Sequence, residues 1–236
     1  MAQVHPFKFT TSILALAEEG GAKLIQGRAT SLNSNSISYK AEDNANPIDL
    51  PANTIIVTAG PWTPTLLPQI QISTSRAHSI VIEPKKQLPA QAIFFSYSSP
   101  SYRHDISPEL YSRPSSVYIC GPTDSHHPLP EYAKDTQILE KQTSELEQFA
   151  KEISTDLDEG KVVVRQACYL PFHERGFPAV GWLSAPRTGK AGVFVAAGHA
   201  VWGISLAPGT GKVVAEMVMG GNNGKGEAWD VRKLAP

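Results

Sequence analysis

One stretch, GVFVAAGHAVWGISLAPGTGKVVAEMVM over Gly192–Met219, limits what the rest of the chain can fold into. Gly192 to Ala197 is a short apolar run of β-branched and aromatic residues, which predicts a buried strand. Gly198-His199 breaks the run, and Gly203, Pro208, Gly209 and Gly211 punctuate the residues after it. From Thr210 to Met219 the apolar residues Val213, Val214, Met217 and Val218 recur at helical spacing, so a helix is expected to begin near Gly209. Strand, glycine loop and helix start together offer free backbone N–H groups and a positive dipole end to an anionic group. A phosphate-binding P-loop fails twice, with Leu206 in place of its first glycine and Val213 in place of its hydroxyl. A dinucleotide fingerprint is also poor. Gly209-x-Gly211 runs on to Val214, and the polar, glycine-rich Gly220–Pro236 predicts no second strand with a ribose-binding carboxylate.

Composition narrows the function classes. The chain has 236 residues, enough for one large core or two modest ones. A net charge of −1 and 18% charged residues leave no basic footprint for nucleic acid. No apolar run approaches a membrane span, and MAQVHPFKFTTSIL lacks the charged-then-apolar order of a secretory signal. Cys120 and Cys168 alone make no disulfide framework, so a reducing, cytoplasmic setting is expected.

Along the chain, Phe9–Glu19 reads as an amphipathic helix on Ile13, Leu14, Leu16 and Ala17, closed by Gly20-Gly21. Lys23–Leu32 and Ser36–Tyr39 read as strands, and Asn44–Pro47 as a turn. Thr54–Ala59 has the continuous apolar character of a buried parallel strand and runs into Gly60. Ser73–Pro84, Ala92–Tyr97, Leu110–Arg113, Ser116–Gly121 and Lys161–Tyr169 predict a further sheet, with Gly181–Leu183 a short strand. Thr136–Ile153 predicts a charged helix whose buried face is Ile138, Leu139, Leu146, Phe149 and Ala150. Glu145 and Glu147 read as its solvated face, and His126-His127 as a solvated loop pair, not a metal site.

The segment Gly198-His199-x-x-x-Gly203-Ile204-Ser205-Leu206-Ala207-Pro208-x-Thr210-Gly211 resembles the C-terminal flavin segment of the D-amino-acid oxidase superfamily, and glycine oxidase most closely. QVHPFKF, GAKLIQG and TIIVTAGPWT extend the resemblance toward the N-terminus. It implies a mixed α/β chain: part of an FAD-binding domain of the glutathione-reductase type over 1–71 and 185–236, with a largely antiparallel substrate-domain sheet inserted over 72–184. It implies FAD contacts at Ala29, Ala59, Gly60, Gly198, His199, Gly203, Ile204, Ser205, Gly209 and Thr210, and substrate contacts at Tyr111 and Arg113. The partner it implies is a small-molecule amine or amino acid, oxidised by hydride transfer to the flavin.

Cys168-Tyr-Leu-Pro171 with Gly176, Pro178 and Gly181 resembles a family strand on which Cys168 falls at a position bonded to flavin in sarcosine oxidases. Cys168 is therefore either a covalent flavin site, its thiol activated by Arg165, or a core thiol. Tyr111 is either a substrate contact or an ordinary strand aromatic. Leu170, Arg175 and Val201 depart from the family pattern, the last where glycine oxidase grips the substrate carboxylate, so Arg113 or Arg175 would have to replace it. The family's GxGxxG is absent from the sequence, which is read as a fragment or truncated product, or alternatively as an inactive binding module. Unpaired edges on Thr54–Ala59 and Val193–Ala197, and poor solubility, are the expected consequences. Cys168, Tyr111 and the loop Gly198–Ser205 are expected to line one cleft.

Overall fold

A computed structural model describes residues 3–41, 46–103 and 105–219. It divides into two compact units: Met1–Val4 with Ser75–Tyr169, and His5–Thr74 with Leu170–Pro236.

The unit built on Ser75–Tyr169 is a five-stranded sheet under one long helix. β5 (Ile72–Glu83), β6 (Ala92–Phe94), β7 (Glu109–Ser112), β8 (Val117–Asp124) and β9 (Lys161–His173) stand in the order β6-β7-β8-β5-β9. The pairs β6–β7, β7–β8 and β8–β5 are antiparallel, as the alternating sequence predicts. Alternation sends Ile80, Ile82, Leu110, Val117 and Ile119 to one face. There they pack on Leu146, Phe149 and Ala150 of α3 (Glu140–Ile153) and on Leu157 of the short α4 (Thr155–Asp158). The Phe149 ring sits edge-on to Phe95 and Tyr97 at 5.0 and 5.1 Å. Ile138 does not join this core: α3 begins at Glu140, and Ile138 lies ahead of it, 47% exposed. Glu147 is not a plain solvated residue either, because it pairs with Arg165 of β9 and with Lys151.

The start of α3 has no side-chain cap of its own. β5 supplies one from a bulge between Ala77 and Ser79, which re-aims the neighbouring side chains. His78 Nε2 accepts the Leu139 N–H at 3.1 Å, and Arg76 Nη1 donates to the Gln137 carbonyl at 3.0 Å. Burial first, and the Arg76 charge second, push the His78 imidazole below its ordinary value, so it accepts as a neutral ring. Arg76 is 1% exposed and is held by Asp124 through Nε at 3.2 Å and Nη2 at 3.1 Å. Burial would raise the Asp124 carboxyl; the hydrogen bonds and charge of Arg76 outweigh it and hold the group below its ordinary value.

The other unit carries α1 (Pro6–Glu19), an antiparallel meander of β1 (Arg28–Leu32), β2 (Ser36–Lys40) and β3 (Ile48–Pro51), and α2 (Thr63–Leu66). β3 was not anticipated, and Lys23–Gly27 lies outside β1. Asn44 and Ala45 of the expected turn, and the tail Gly220–Pro236, lie outside the described residues. α1 buries none of its residues, and Phe7 is 72% exposed. β4 (Thr54–Val57), β10 (Ala179–Ser184) and β11 (Gly192–Ala197) form a second three-stranded sheet, order β10-β11-β4. β11 is parallel to β4, with Gly192 opposite Thr54 and Val195 opposite Val57. β11 therefore occupies the centre, paired on both sides, and β10 and β4 are the edge strands among the described residues. β10 contains the short strand expected at Gly181–Leu183 and pairs antiparallel with β11.

One face of this sheet packs Ile55, Val57, Val195 and Ala197 against Leu67 and Ile70. The other packs Phe194 and Ala196 against Val214 of α5 (Gly203–Met219). The helix begins at Gly203, not near Gly209, and contains Pro208. Proline and glycine are poor helix formers, but the stripe Gly203, Ala207, Gly211, Val214 and Val218 keeps helical spacing through them.

The Arg76–Asp124 pair makes stability pH-dependent. A depressed carboxyl stabilises the fold above its unfolded value, and that contribution is lost as pH falls from about 3.8 through the folded value. Asp124→Asn leaves a buried guanidinium without its counter-charge and is expected to cost about 3 kcal/mol at neutral pH. Urea melts of both proteins between neutral and acid pH should show the difference narrowing as Asp124 is protonated.

Candidate functional site

The parallel pair β4–β11 sets the site. Continuing its register past the strand ends places Ala59-Gly60 beside Ala197-Gly198. Both glycines have positive φ, 51° at Gly60 and 80° at Gly198. Each turn leads through a 3-10 helix, Gly60–Trp62 or Ala200–Trp202, into an α-helix, α2 or α5. Two strands thus end side by side in strand–Ala-Gly–helix turns, and the carboxyl ends of adjacent parallel strands are where α/β sheets receive ligands.

Gly198 is required for a second reason: a Cβ there would lie 2.7 Å from His173 Cβ. An isolated bridge from Phe172 to His199 fixes the same corner. His199 then turns toward α5, its Nε2 3.1 Å from Thr210 Oγ1. Burial lowers the pKa of the imidazole, so a neutral ring is presented.

Between β4, β11 and α5 lies an open cavity of about 610 Å³. Ile56, Thr58 and Ala196 form its floor, and His199, Gly203 and Thr210 stand at one end. Val214, Val218 and Met219 continue it along the helix as an apolar groove. Ile56 is 42% exposed although its neighbours Ile55 and Val57 are buried, because α5 does not extend over the edge strand. Among the residues expected to contact cofactor, His199, Gly203 and Thr210 line this cavity. Ala59, Gly60 and Gly198 shape the turns beside it, whereas Ile204, Ser205 and Gly209 sit on exposed positions of α5. Ala29 lies in β1, paired with Tyr39. The dipole end of α5 is at Gly203–Ser205, so Gly209 and Gly211 are interior residues of the helix.

The remaining expected site residues belong to the other unit. Cys168 and Tyr111 sit on the face of its sheet turned away from α3, as does Glu109, which sequence reasoning passed over. The signal was there: Glu109 and Tyr111 are two apart on a strand and share a face. Tyr111 donates to Glu109 Oε2 at 2.6 Å, and Cys120 Sγ lies 3.8 Å from the same oxygen. Burial first, then that carboxylate, pushes the Tyr111 phenol well up, and the Cys120 thiol is raised to about 12 by the same causes. Arg113 stacks over the Tyr118 ring at 5.3 Å, and its Nε is buried without a hydrogen-bond partner among the described residues. Cys168 is open to solvent, yet the surrounding sheet raises its thiol by desolvation. Arg165 does not activate it, being engaged with Glu147 on the helix side. Among the described residues no group of three or more His, Cys, Asp and Glu side chains could hold a metal. No helix among them is long and apolar enough to cross a membrane.

Fold and cavity together define a mixed α/β protein with an open cavity at the carboxyl ends of two parallel strands. A family model described as FAD dependent oxidoreductase, DAO, matches residues 1–217, and the chain belongs to that family. C1F5.03c of Schizosaccharomyces pombe, named as a candidate oxidoreductase, is 37% identical over 93% of this chain and 60% of its own length. TDA3 of Saccharomyces cerevisiae, named likewise, is 31% identical over 93% of this chain and 48% of its own. The chain thus spans about half to three fifths of these relatives. Glycine oxidase from Geobacillus kaustophilus shares the fold at a TM-score of 0.71 and 19% identity, over 93% of this chain and 54% of that one. L-proline dehydrogenase from P. horikoshii does so at 0.68 and 20%, over 98% and 59%.

Two glycines separate the roles assigned here. Gly198→Ala is expected to destabilise the protein by about 2 kcal/mol or more, through positive φ and the approach to His173. Gly209→Ala, in a helix interior with no atom within 4 Å of the added Cβ, is expected to stabilise it by about 0.5–1 kcal/mol. Thermal melts of the two variants check both, and a destabilised Gly209→Ala would contradict a helix starting at Gly203.

Proposed function

We propose that this chain is part of an FAD-dependent oxidoreductase that oxidises an amine or an amino acid. The observation that carries the reading is the pair of Ala-Gly turns at the carboxyl ends of β4 and β11, opening on an apolar cavity with a few polar atoms at one end. The residues fit a flat, largely apolar ring. Ile56, Ala196 and Gly203 leave room for it, and Thr58, His199 and Thr210 supply hydrogen-bonding atoms. The first turn of α5, at Gly203, Ile204 and Ser205, offers free N–H groups to a negatively polarised edge. Ala59, Gly60 and Gly198 hold that end in shape, while Ala29 and Gly209 keep supporting roles on neighbouring elements. FAD, when bound, supplies the two-electron acceptor. Tyr111 and Arg113 are assigned to the substrate.

The groove along Val214, Val218 and Met219 has no polar work to do. Together with the free edge of β4, it is read as the seat of a further polypeptide region, consistent with the greater length of the relatives. Cofactor retention is assigned to the combination, and a flavin-free product acting as a binding module is the competing reading. Cys168, exposed on its strand, is the position for a covalent link if one forms; its raised thiol argues for slow formation.

The test compares this chain with a polypeptide extended to the length of its relatives. Flavin absorbance is expected to co-purify with the extended protein only. An extended protein that takes up no FAD would favour the module, and stoichiometric FAD on the short chain would remove the need for a further region. Absorbance that survives acid precipitation and disappears in Cys168→Ala would establish the covalent link.

A further inference from the structure

We propose that Glu109 makes the substrate face of the five-stranded sheet a site for cationic alkylamines and against α-amino acids. This rests on the reading of that face, through Tyr111 and Arg113, as the substrate side.

Glu109 uses one oxygen and keeps the other. Oε2 takes the Tyr111 O–H at 2.6 Å and faces Cys120 Sγ at 3.8 Å, while Oε1 takes no hydrogen bond from any described residue. No Lys, Arg or His among the described residues pairs with it. Tyr111 and Cys120, held above their ordinary values, remain neutral donors and hold the carboxylate in place without cancelling its charge. A carboxylate fixed on one oxygen and open on the other is a receptor for a cation that donates hydrogen bonds.

The surroundings favour an organic cation. Phe94 stands edge-on to Tyr111 at 6.1 Å, and Tyr111 lies 6.0 Å from Tyr118. Phe94 is exposed, so the aromatic row is reachable from solvent. Aromatic faces beside an ammonium add cation–π attraction and receive its alkyl body.

The same geometry rejects an α-carboxylate. Such a group sits one carbon from the amine and would be brought against Glu109 with like charge, a repulsive element of specificity. Arg113 cannot relieve it. Its backbone stands four residues on from Glu109, about 13 Å away at strand rise, and its guanidinium is engaged over the Tyr118 ring. Its guanidinium suits an anionic group far along a ligand, not one beside the amine.

Calorimetric titration of the chain with n-butylamine hydrochloride and, separately, glycine at neutral pH tests this. n-Butylamine is expected to bind at least about ten-fold tighter than glycine. Glu109→Gln should weaken it about ten-fold or more, while leaving glycine unchanged or improved. Glu109→Asp should recover part of the amine affinity, and both variants should melt as the parent does. Equal affinities for the two ligands, no amine binding to the parent, or full amine affinity in a folded Glu109→Gln would each overturn the assignment. Flavin retention by the extended protein is measured separately. Its failure would strike the oxidoreductase reading and leave this affinity ratio intact.

Discussion

The parallel pairing of β4 with β11 joins two stretches from opposite ends of the chain, and the candidate cofactor site exists only because of it. Each strand alone ends in a glycine with positive φ and a 3-10 turn. Paired in register, they bring two such turns side by side and give α5 a surface, Phe194 and Ala196, on which Val214 can bury. A one-residue slip would turn Phe194 and Ala196 to the opposite face and take the floor from the cavity. The alternation Ile55-Ile56-Val57 enforces the register from the β4 side, since only Ile56 faces the cavity while its neighbours enter the core.

The inserted sheet works by a different economy. Its apolar side is closed by α3, but the entrance to α3 depends on polar groups taken out of water. Arg76 and His78 leave the bulge of β5 to hold residues 137–139, and Asp124 neutralises the cation. Burying charge is tolerable here because each of the three guanidinium nitrogens of Arg76 has a partner and Asp124 supplies the counter-charge. The opposite side of the sheet keeps its polar groups only partly satisfied, with Glu109 Oε1 and Arg113 Nε left over.

Much of this was legible in the sequence. Alternation located β5, β7, β8 and β9, and continuous apolar runs located β4 and β11 as neighbours in one core. The misreadings share a cause: local punctuation was given more weight than tertiary packing. Pro208, Gly209 and Gly211 read as a loop, yet the stripe from Gly203 to Val218 packs as one helix, so contact on one face outweighed propensity. Ile138 read as helix core because its spacing fits, but the cap supplied by His78 starts the helix later, and no local signal carries that. Unpaired edges were expected on both parallel strands; β10, the strand just before β11 in the chain, turns back antiparallel onto β11 and closes one of them. Glu109 was missed because a lone carboxylate in a strand has no motif, and its meaning depends on Tyr111, Cys120 and the absent counter-ion.

The division of the chain also has a temporal side. One unit consists almost entirely of the single run Ser75–Tyr169, whereas the other is interrupted by it. During synthesis the inserted sheet, its helix and its Arg76–Asp124 pair are all available before β11 has been made. β4, by contrast, emerges early and must wait for β11 as a strand without its parallel partner. The short local pairings of β1, β2 and β3 and the hairpin β7–β8 close small loops, and the β4–β11 pairing closes the largest one late. Ribosome pausing or chaperone engagement would therefore matter most for the interval in which β4 is exposed and β11 is still to come.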